Sequence, residues 1–392
     1  MSGGIVQLVA TGPQDAWLTG KPEVSFYRSN YKRYTHFANS VERQVIQGTP
    51  IAGGISTIRF EKKGDLLTYV YLTARDSNGS SIAGLNWSNV IDKIDLYIGG
   101  QIVDTQDIEY MTDIEPVTGA QNWSQRYLNT TSTTINNQKA AFLPLKFFFC
   151  KDWAVALPLV ALQFHDVELR ITWSANLAST SGMPTGIPAG GPAYSSMQYI
   201  CWANFTYLDQ GERDWFAKTS HDLLVTQVQR VLMGTAPTQE LALAQPVKFI
   251  AFPCINYNQL YAKGSAGARD VTLKTQVNGV DVGEARHLTH WIDVPQYYNT
   301  QWGYLAPNTT TAGLSTANVA IISYCLDTAK LQPTGTLNFS RLDTFRIVVP
   351  PSLTGGLSNL APSINYTSPY LYAVNYNVLR IQNGLGSLLY AN

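Results

Sequence analysis

Charge is scarce in this sequence. Asp, Glu, Lys and Arg make up 14% of the 392 residues, where an ordinary soluble domain carries roughly a quarter. Much of the surface is therefore expected to be covered, most simply by other copies of the chain. Neither sign is in excess: 27 basic and 27 acidic residues give a formal net charge of zero, and residues 1–208 hold 15 and 16 of them. A nucleic-acid-binding domain shows a basic stripe, so no sequence-specific contact with nucleic acid is expected. A net charge near zero also favours association.

Cysteine is rare too. Cys150, Cys201, Cys254 and Cys325 each sit in apolar surroundings, and none shows C-x-x-C spacing. Buried free thiols suited to a reducing compartment are the expectation. No run of 18 apolar residues exists, so no membrane-spanning helix is expected. The first residues, Met-Ser-Gly-Gly-Ile-Val, lack the basic start of a secretory leader.

The motifs of common chemistries are missing: no P-loop, no G-x-G-x-x-G and no G-x-S-x-G elbow. His287-x-x-His290 suggests no third metal ligand, and its context reads as strand or loop. His165-Asp166 lacks a nucleophile. The carboxylate pairs Asp92/Asp95 and Asp104/Asp107 could serve a glycosidase, but they are also ordinary strand-end residues. No catalytic residue, metal or cofactor is expected, and the chain is read as a non-enzyme.

Alternation of apolar and polar residues is abundant. Val167-Glu168-Leu169-Arg170-Ile171-Thr172-Trp173 and Ile94-Asp95-Leu96-Tyr97-Ile98 have the period of half-buried strands. Lys63-Gly64-Asp65 reads as a hairpin signal. With 30 Gly, 19 Pro, 22 Tyr, 14 Phe and 9 Trp, the composition suits many strands and turns. Helical signal is limited to Asp209–Lys218 and a further turn at Gln239–Ala244. Loops at 116–140, 175–198, 300–318 and 350–368 exceed the usual length.

The chain also repeats itself. Tyr199-Ile200-x-x-x-Asn204-Phe205-x-x-Leu208 recurs as Tyr370-Leu371-x-x-x-Asn375-Tyr376-x-x-Leu379, 171 residues on. Leu162-Gln163-Phe164 through Arg170-Ile171 recurs as Leu337-Asn338-Phe339 through Arg346-Ile347. Ile98-Gly99-Gly100 recurs as Val277-Asn278-Gly279. Such a long offset means two whole domains. The fold class expected is all-β: two tandem antiparallel sandwiches, whose long loops suit jelly rolls. The boundaries read as an N-terminal arm at 1–23, a first roll at 24–208, a linker with a short helix at 209–222 and a second roll at 223–392.

Residues 21–37 are basic and aromatic, with Lys21, Arg28, Lys32 and Arg33 beside Phe26, Tyr27, Tyr31, Tyr34 and Phe37. They could touch nucleic acid or an acidic membrane. The preferred reading is a solvated or subunit-packed arm. Eight N-x-S/T triplets occur, at Asn78, Asn86, Asn122, Asn129, Asn204, Asn308, Asn338 and Asn365. Asn122, Asn129 and Asn308 lie in polar loops and are the candidate glycan attachment residues.

Two long motifs point to a family. Gln332-Pro333-Thr334-Gly335-Thr336-Leu337-Asn338-Phe339-Ser340-Arg341 resembles the Q-P-S-G-x-x-N-F-S-R signature of major capsid proteins of nucleocytoplasmic large DNA viruses, with Thr334 in place of the usual serine. Tyr372-Ala373-Val374-Asn375-Tyr376-Asn377-Val378-Leu379-Arg380-Ile381 resembles that family's C-terminal motif. Asp15–Pro22, Gly99–Asp104, Leu157–His165 and Ser220–Leu224 add shorter matches, in the manner of the algal-virus branch. The resemblance covers almost the whole chain. It implies a double jelly roll (two tandem eight-stranded antiparallel jelly-roll sandwiches), a pseudo-hexagonal homotrimeric capsomer and an icosahedral virion shell assembled in the host cytoplasm. The implied partners are the chain itself and neighbouring trimers, minor capsid and penton proteins, and an internal viral membrane reached through the arm. A jelly-roll carbohydrate-binding protein is the alternative, and a β-sandwich glycosidase the third reading.

Overall fold

The computed structural model describes residues 4, 7–29, 31–75, 85, 87–119, 142–178, 194–254, 271–301, 318–349, 357–358 and 370–390. The chain divides into two units, Met1–His36 and Phe37–Asn392. The first includes a short helix, Ala16–Thr19, which buries no side chain. Its start is tied by the Gly12 N–H donating to the Asp15 carboxylate at 2.7 Å. Trp17, Phe26, Tyr27 and Tyr31 are exposed.

In the second unit, ten strands come before residue 209: β1 (Phe37–Gln44), β2 (Ile46–Gln47), β3 (Ile55–Arg59), β4 (Leu66–Arg75), β5 (Ile91–Ile98), β6 (Gln101–Asp107), β7 (Phe142–Pro144), β8 (Leu157–Pro158), β9 (Val167–Trp173) and β10 (Gln198–Leu208). They form two sheets, β1-β10-β4-β7 with β8 on β4, and β2-β3-β9-β5-β6. Ten more follow: β11 (His221–Leu232), β12 (Thr238–Glu240), β13 (Pro246–Cys254), β14 (Thr272–Val277), β15 (Val280–His287), β16 (Asn318–Ser323), β17 (Leu337–Asn338), β18 (Phe345–Val348), β19 (Tyr370–Gln382) and β20 (Leu385–Leu388). Their sheets are β11-β19-β13-β16, with β17 on β13 and β20 on β19, and β12-β18-β14-β15. The strand orders correspond one to one: β1, β10, β4, β7 to β11, β19, β13, β16, and β3, β9, β5, β6 to β12, β18, β14, β15. These matched sets of eight are two jelly rolls, to which β2 and β8 in the first and β17 and β20 in the second are added, and the chain is a double jelly roll.

Alternation builds the layers. Along β9 the apolar Val167, Leu169, Ile171 and Trp173 are buried and the residues between them half-buried. Each such burial removes about 1.5–3 kcal/mol worth of apolar surface from water. Gly99 and Gly100 have φ of 58° and 83°, and Asn278 and Gly279 have 49° and 80°. Both pairs are two-residue turns that need a positive φ twice, which Gly and Asn tolerate. They close the equivalent hairpins β5–β6 and β14–β15.

The duplication is real, but two of the three repeats read from sequence are out of register. Ala203 pairs with Val70 and Phe205 with Leu67 across a bulge; Ala373 pairs with Ile250 and Asn375 with Val247 across the same bulge. Asn375 therefore stands where Phe205 does, and Asn204 where Val374 does. Val167 pairs with Ile98 and Phe345 with Val277, so the β9/β18 repeat is two residues out. Leu157 pairs with Leu67 and Leu337 with Val247, which makes Leu159, not Phe164, the counterpart of Phe339. A one-residue slip exchanges the faces of a strand, whereas a two-residue slip keeps them.

Other expectations need correction. Lys63-Gly64-Asp65 is not a hairpin, because β3 and β4 lie in different sheets. Its glycine instead allows close approach: a Cβ there would lie 2.7 Å from the Phe205 Cβ. Gln239 belongs to a strand, Thr238–Glu240. Residues 288–299 form a helix, Leu288–Asn299, with His287 at its N-cap and Pro295 inside; the apolar contacts of Leu288, Ile292 and Pro295 outweigh the weak local signal. The helix Gln210–Lys218 joins the rolls. Asp65 anchors it by accepting from the Leu208 N–H at 2.9 Å and pairing with Arg213 at 2.9 Å.

Candidate assembly surfaces

The core is divided unequally. One apolar cluster lies inside the second roll, with Val247, Ile250, Phe252, Leu273, Ala320, Ile347, Leu371 and Ala373. The other fills the first roll and continues across the boundary to Phe249, Ala251, Val319, Ile321, Tyr372 and Val374. Those six lie on the outer face of β11-β19-β13-β16, so that sheet is buried on both sides. Its cover comes from the first roll: β6 and the segment after it, with Tyr110, Met111 and Ile114 buried there. The rings of Tyr110 and Tyr372 stand 5.7 Å apart.

Polar groups fix the register of this seam. The Asp104 carboxylate accepts from the Val228 N–H at 2.9 Å and from Gln106 Nε2 at 2.8 Å. Burial pushes its pKa up to about 6, against the pull of those two bonds. Arg230 Nη1 donates to both Asp107 oxygens, at 2.9 and 2.8 Å. Burial still raises the Asp107 carboxyl above its ordinary value. The Tyr372 hydroxyl donates to Glu109 at 2.9 Å, and Gln227 Nε2 donates to the Val103 carbonyl. Beside the seam, Lys146 and Glu115 form a buried ion pair at 3.0 Å. Burial alone would raise the Glu115 carboxyl, but Lys146 and Lys151 hold it below its ordinary value. Thr328 donates to the Thr118 carbonyl at 2.8 Å. The Gly386 N–H in β20 donates to His165 Nδ1 at 3.1 Å, which brings the C-terminal hairpin onto the first roll.

Most of the residues weighed for chemistry in the sequence have structural contacts, while Asp92 is exposed. Asp104 and Asp107 join the rolls. Asp95 accepts from Thr105 at 2.7 Å, and Asp166 pairs with Arg59. His287 accepts from the Thr289 N–H at 3.4 Å, while His290 lies 2.8 Å from Arg286. His221 Nε2 donates to the Phe216 carbonyl at 2.8 Å. Asn204 is buried, and Asn338 accepts from the Ser340 N–H at 3.1 Å. Asn122, Asn129 and Asn308 lie outside the described residues. Sequence reasoning missed Glu109, Lys146, Arg230 and Tyr372; the one available signal was charge among the apolar residues of 104–115 and 143–149.

The four thiols are free. Burial pushes those of Cys150, Cys201 and Cys254 up to about 12.

Among the described residues, the other roll leaves the β4–β7 part of the equivalent sheet uncovered. Along β4 and β7, Tyr69, Tyr71, Thr73, Phe142 and Pro144 face outward and, with Trp153, line an open groove of about 750 Å³.

Two fused jelly rolls with one continuous seam define the double jelly-roll class. The chain matches the solved capsid of PBCV-1 virus with a TM-score of 0.70 and 25% identity over 94% of this chain and all of that one. The Faustovirus major capsid protein shares the fold, with a TM-score of 0.56 at 12% identity over 95% of each chain. Residues 25–209 match the family model "Major capsid protein N-terminus", and residues 293–387 match "Large eukaryotic DNA virus major capsid protein". The major capsid proteins of Paramecium bursaria Chlorella virus 1 and Pyramimonas orientalis virus are each 29% identical over the full length of both chains. The chain belongs to the family of major capsid proteins of large eukaryotic DNA viruses, and its place is the capsid of a virion.

Proposed function

We propose that this protein builds homotrimeric, pseudo-hexagonal capsomers that tile an icosahedral shell. The observation that carries the reading is the duplication itself. One roll's sheet is sealed by its neighbour in the same chain, and the equivalent sheet of the other roll is open and aromatic. Three chains of two similar rolls supply six units for a near-hexagonal tile from a single gene product. Its mechanism is assembly without catalysis: large apolar contacts within a trimer, above about 2,000 Å² each, and weaker contacts between trimers. Low charge and zero net charge support this reading.

The same reading divides the chain into an arm at 1–23, rolls at 24–208 and 223–392, and a linker between them. The arm contacts minor capsid proteins and an internal membrane, penton proteins fill the vertices, and assembly takes place in the host cytoplasm. Asn122, Asn129 and Asn308 are offered as glycan attachment points.

Light scattering of the purified protein tests the core of this. A mass near three times 43.2 kDa is expected; a monomer throughout the micromolar range would overturn it. Deleting residues 1–23 should leave the trimer intact, lighter only by the residues removed, while shell assembly fails. Loss of the trimer in this truncation would place the arm within the fold.

A further inference from the structure

The internal seam is a template for a second one. In the second roll, Phe249, Ala251, Val319, Ile321, Tyr372 and Val374 are between 0% and 3% exposed because the first roll sits on them. The shared bulge and strand pairing give each a counterpart in the first roll: Tyr69, Tyr71, Phe142, Pro144, Trp202 and Asn204. Asn204 is buried there as Val374 is, but the β4–β7 part of the face is open, with Tyr69 45% and Phe142 43% exposed. Tyr71 packs between its neighbours, 6.4 Å from Tyr69 and 5.6 Å from Phe142, ring centre to ring centre. A groove this aromatic, with Trp153 at its rim 87% exposed, is costly to leave in water.

The covering element has a counterpart too. In the first roll it is the segment that leaves β6, residues 108–118. In the second roll β15 corresponds to β6, and the element leaving it is the helix Leu288–Asn299. That helix buries Leu288, Ile292 and Pro295 in its own roll. It leaves Tyr297 63% and Tyr298 74% exposed, their rings edge to face at 4.8 Å. Among the described residues, then, a donor and an acceptor of the same kind of contact are both exposed.

We infer that the Tyr69–Tyr71–Phe142–Trp153 groove of one subunit receives the Leu288–Asn299 helix of a second copy, in the way the 108–118 segment of the first roll packs on the second. The contact is head to tail: each copy gives a helix and accepts one, so the interface propagates until a ring closes. The inference rests on the capsomer reading and names the partner surface that the reading requires. Tyr and Trp are the residues that anchor interfaces of this kind.

The test is photo-crosslinking in the full-length protein, with a benzophenone amino acid in place of Tyr298, followed by peptide mapping. Crosslinks between copies are expected in the 66–75 or 142–153 stretches. Tyr71→Asp and Tyr298→Asp, each checked by circular dichroism for an intact fold, should weaken association by ~10-fold or more. A trimer whose crosslinks from position 298 fall elsewhere, including on the 1–36 arm, overturns the inference and leaves the capsomer reading standing. A wild-type protein that stays monomeric overturns that reading itself. A trimer unaffected by both aspartates also overturns the inference.

Discussion

The sheets β1-β10-β4-β7 and β11-β19-β13-β16 share strand order, bulge position and inner face, yet their outer faces differ. The second carries Ala251 and Ile321 where the first carries Tyr71 and Pro144. Small or aliphatic residues at these positions and at Val319 let the first roll's segment lie directly on the sheet beside Phe249 and Tyr372. Tyr71 and Phe142 at the matching positions of the first roll line an open groove instead. What distinguishes two copies of one fold here is the neighbour each sheet was shaped to meet.

The strongest way to break this comparison is to damage the cover. Lys146→Ala leaves Glu115 buried with only Lys151 at 4.0 Å. A loss of ~3–5 kcal/mol is expected, toward the lower end because Lys151 remains. Denaturant unfolding measures it, and an unchanged midpoint would remove the ion pair from the account.

Asp104 sharpens the comparison through pH. Its folded pKa, about 6, lies above the ordinary 3.8. The contribution of this group to stability is therefore full below about pH 4 and is lost as the pH rises through 6. Asp104→Asn cannot titrate. The stability difference between variant and wild type should shift in the variant's favour by ~2–3 kcal/mol between pH 4 and 7. Melting curves across that range check it, and parallel curves would contradict the burial assigned to this carboxyl.

Exchanging residues between the faces is the direct comparison. Ala251→Tyr forces a ring into a sealed seam and should cost ~1–3 kcal/mol or more. Tyr71→Ala should cost the fold of the subunit less than ~1 kcal/mol, measured where subunits are dissociated. Equal costs would mean that the two faces are equally packed. The smallest effect concerns the thiols: Cys201 and Cys254 should resist a thiol reagent in the native protein and react on denaturation, so a native disulfide would refute the reading.

Much of this was legible in the sequence. Strand alternation in 167–173, the paired turns at Gly99-Gly100 and Asn278-Gly279, and the helix after Asp209 are local signals, and local signals survive in one dimension. The register of the repeat was not, because a pattern of period two matches itself at many offsets and Asn375 resembles Asn204 while standing one residue away from its position. The helix Leu288–Asn299 was hidden because Pro295 and His287 weaken its signal and tertiary burial supplies what propensity lacks. The seam was invisible for a different reason: Asp107 and Arg230 are 123 residues apart, and nothing local in either marks the other as its partner.

The joining helix Gln210–Lys218 has a kinetic consequence. It ties the two rolls so closely that each meets the other at an effective concentration of ~millimolar or more, far above that of free subunits in a cell. In the proposed ring, every second seam is then made as soon as a chain folds, at a rate independent of how much protein has been synthesised. Only the remaining seams wait on collision. Dilution early in infection would therefore delay ring closure without leaving half-rolls exposed, and the concentration at which rings begin to close would be set by the intermolecular seams alone.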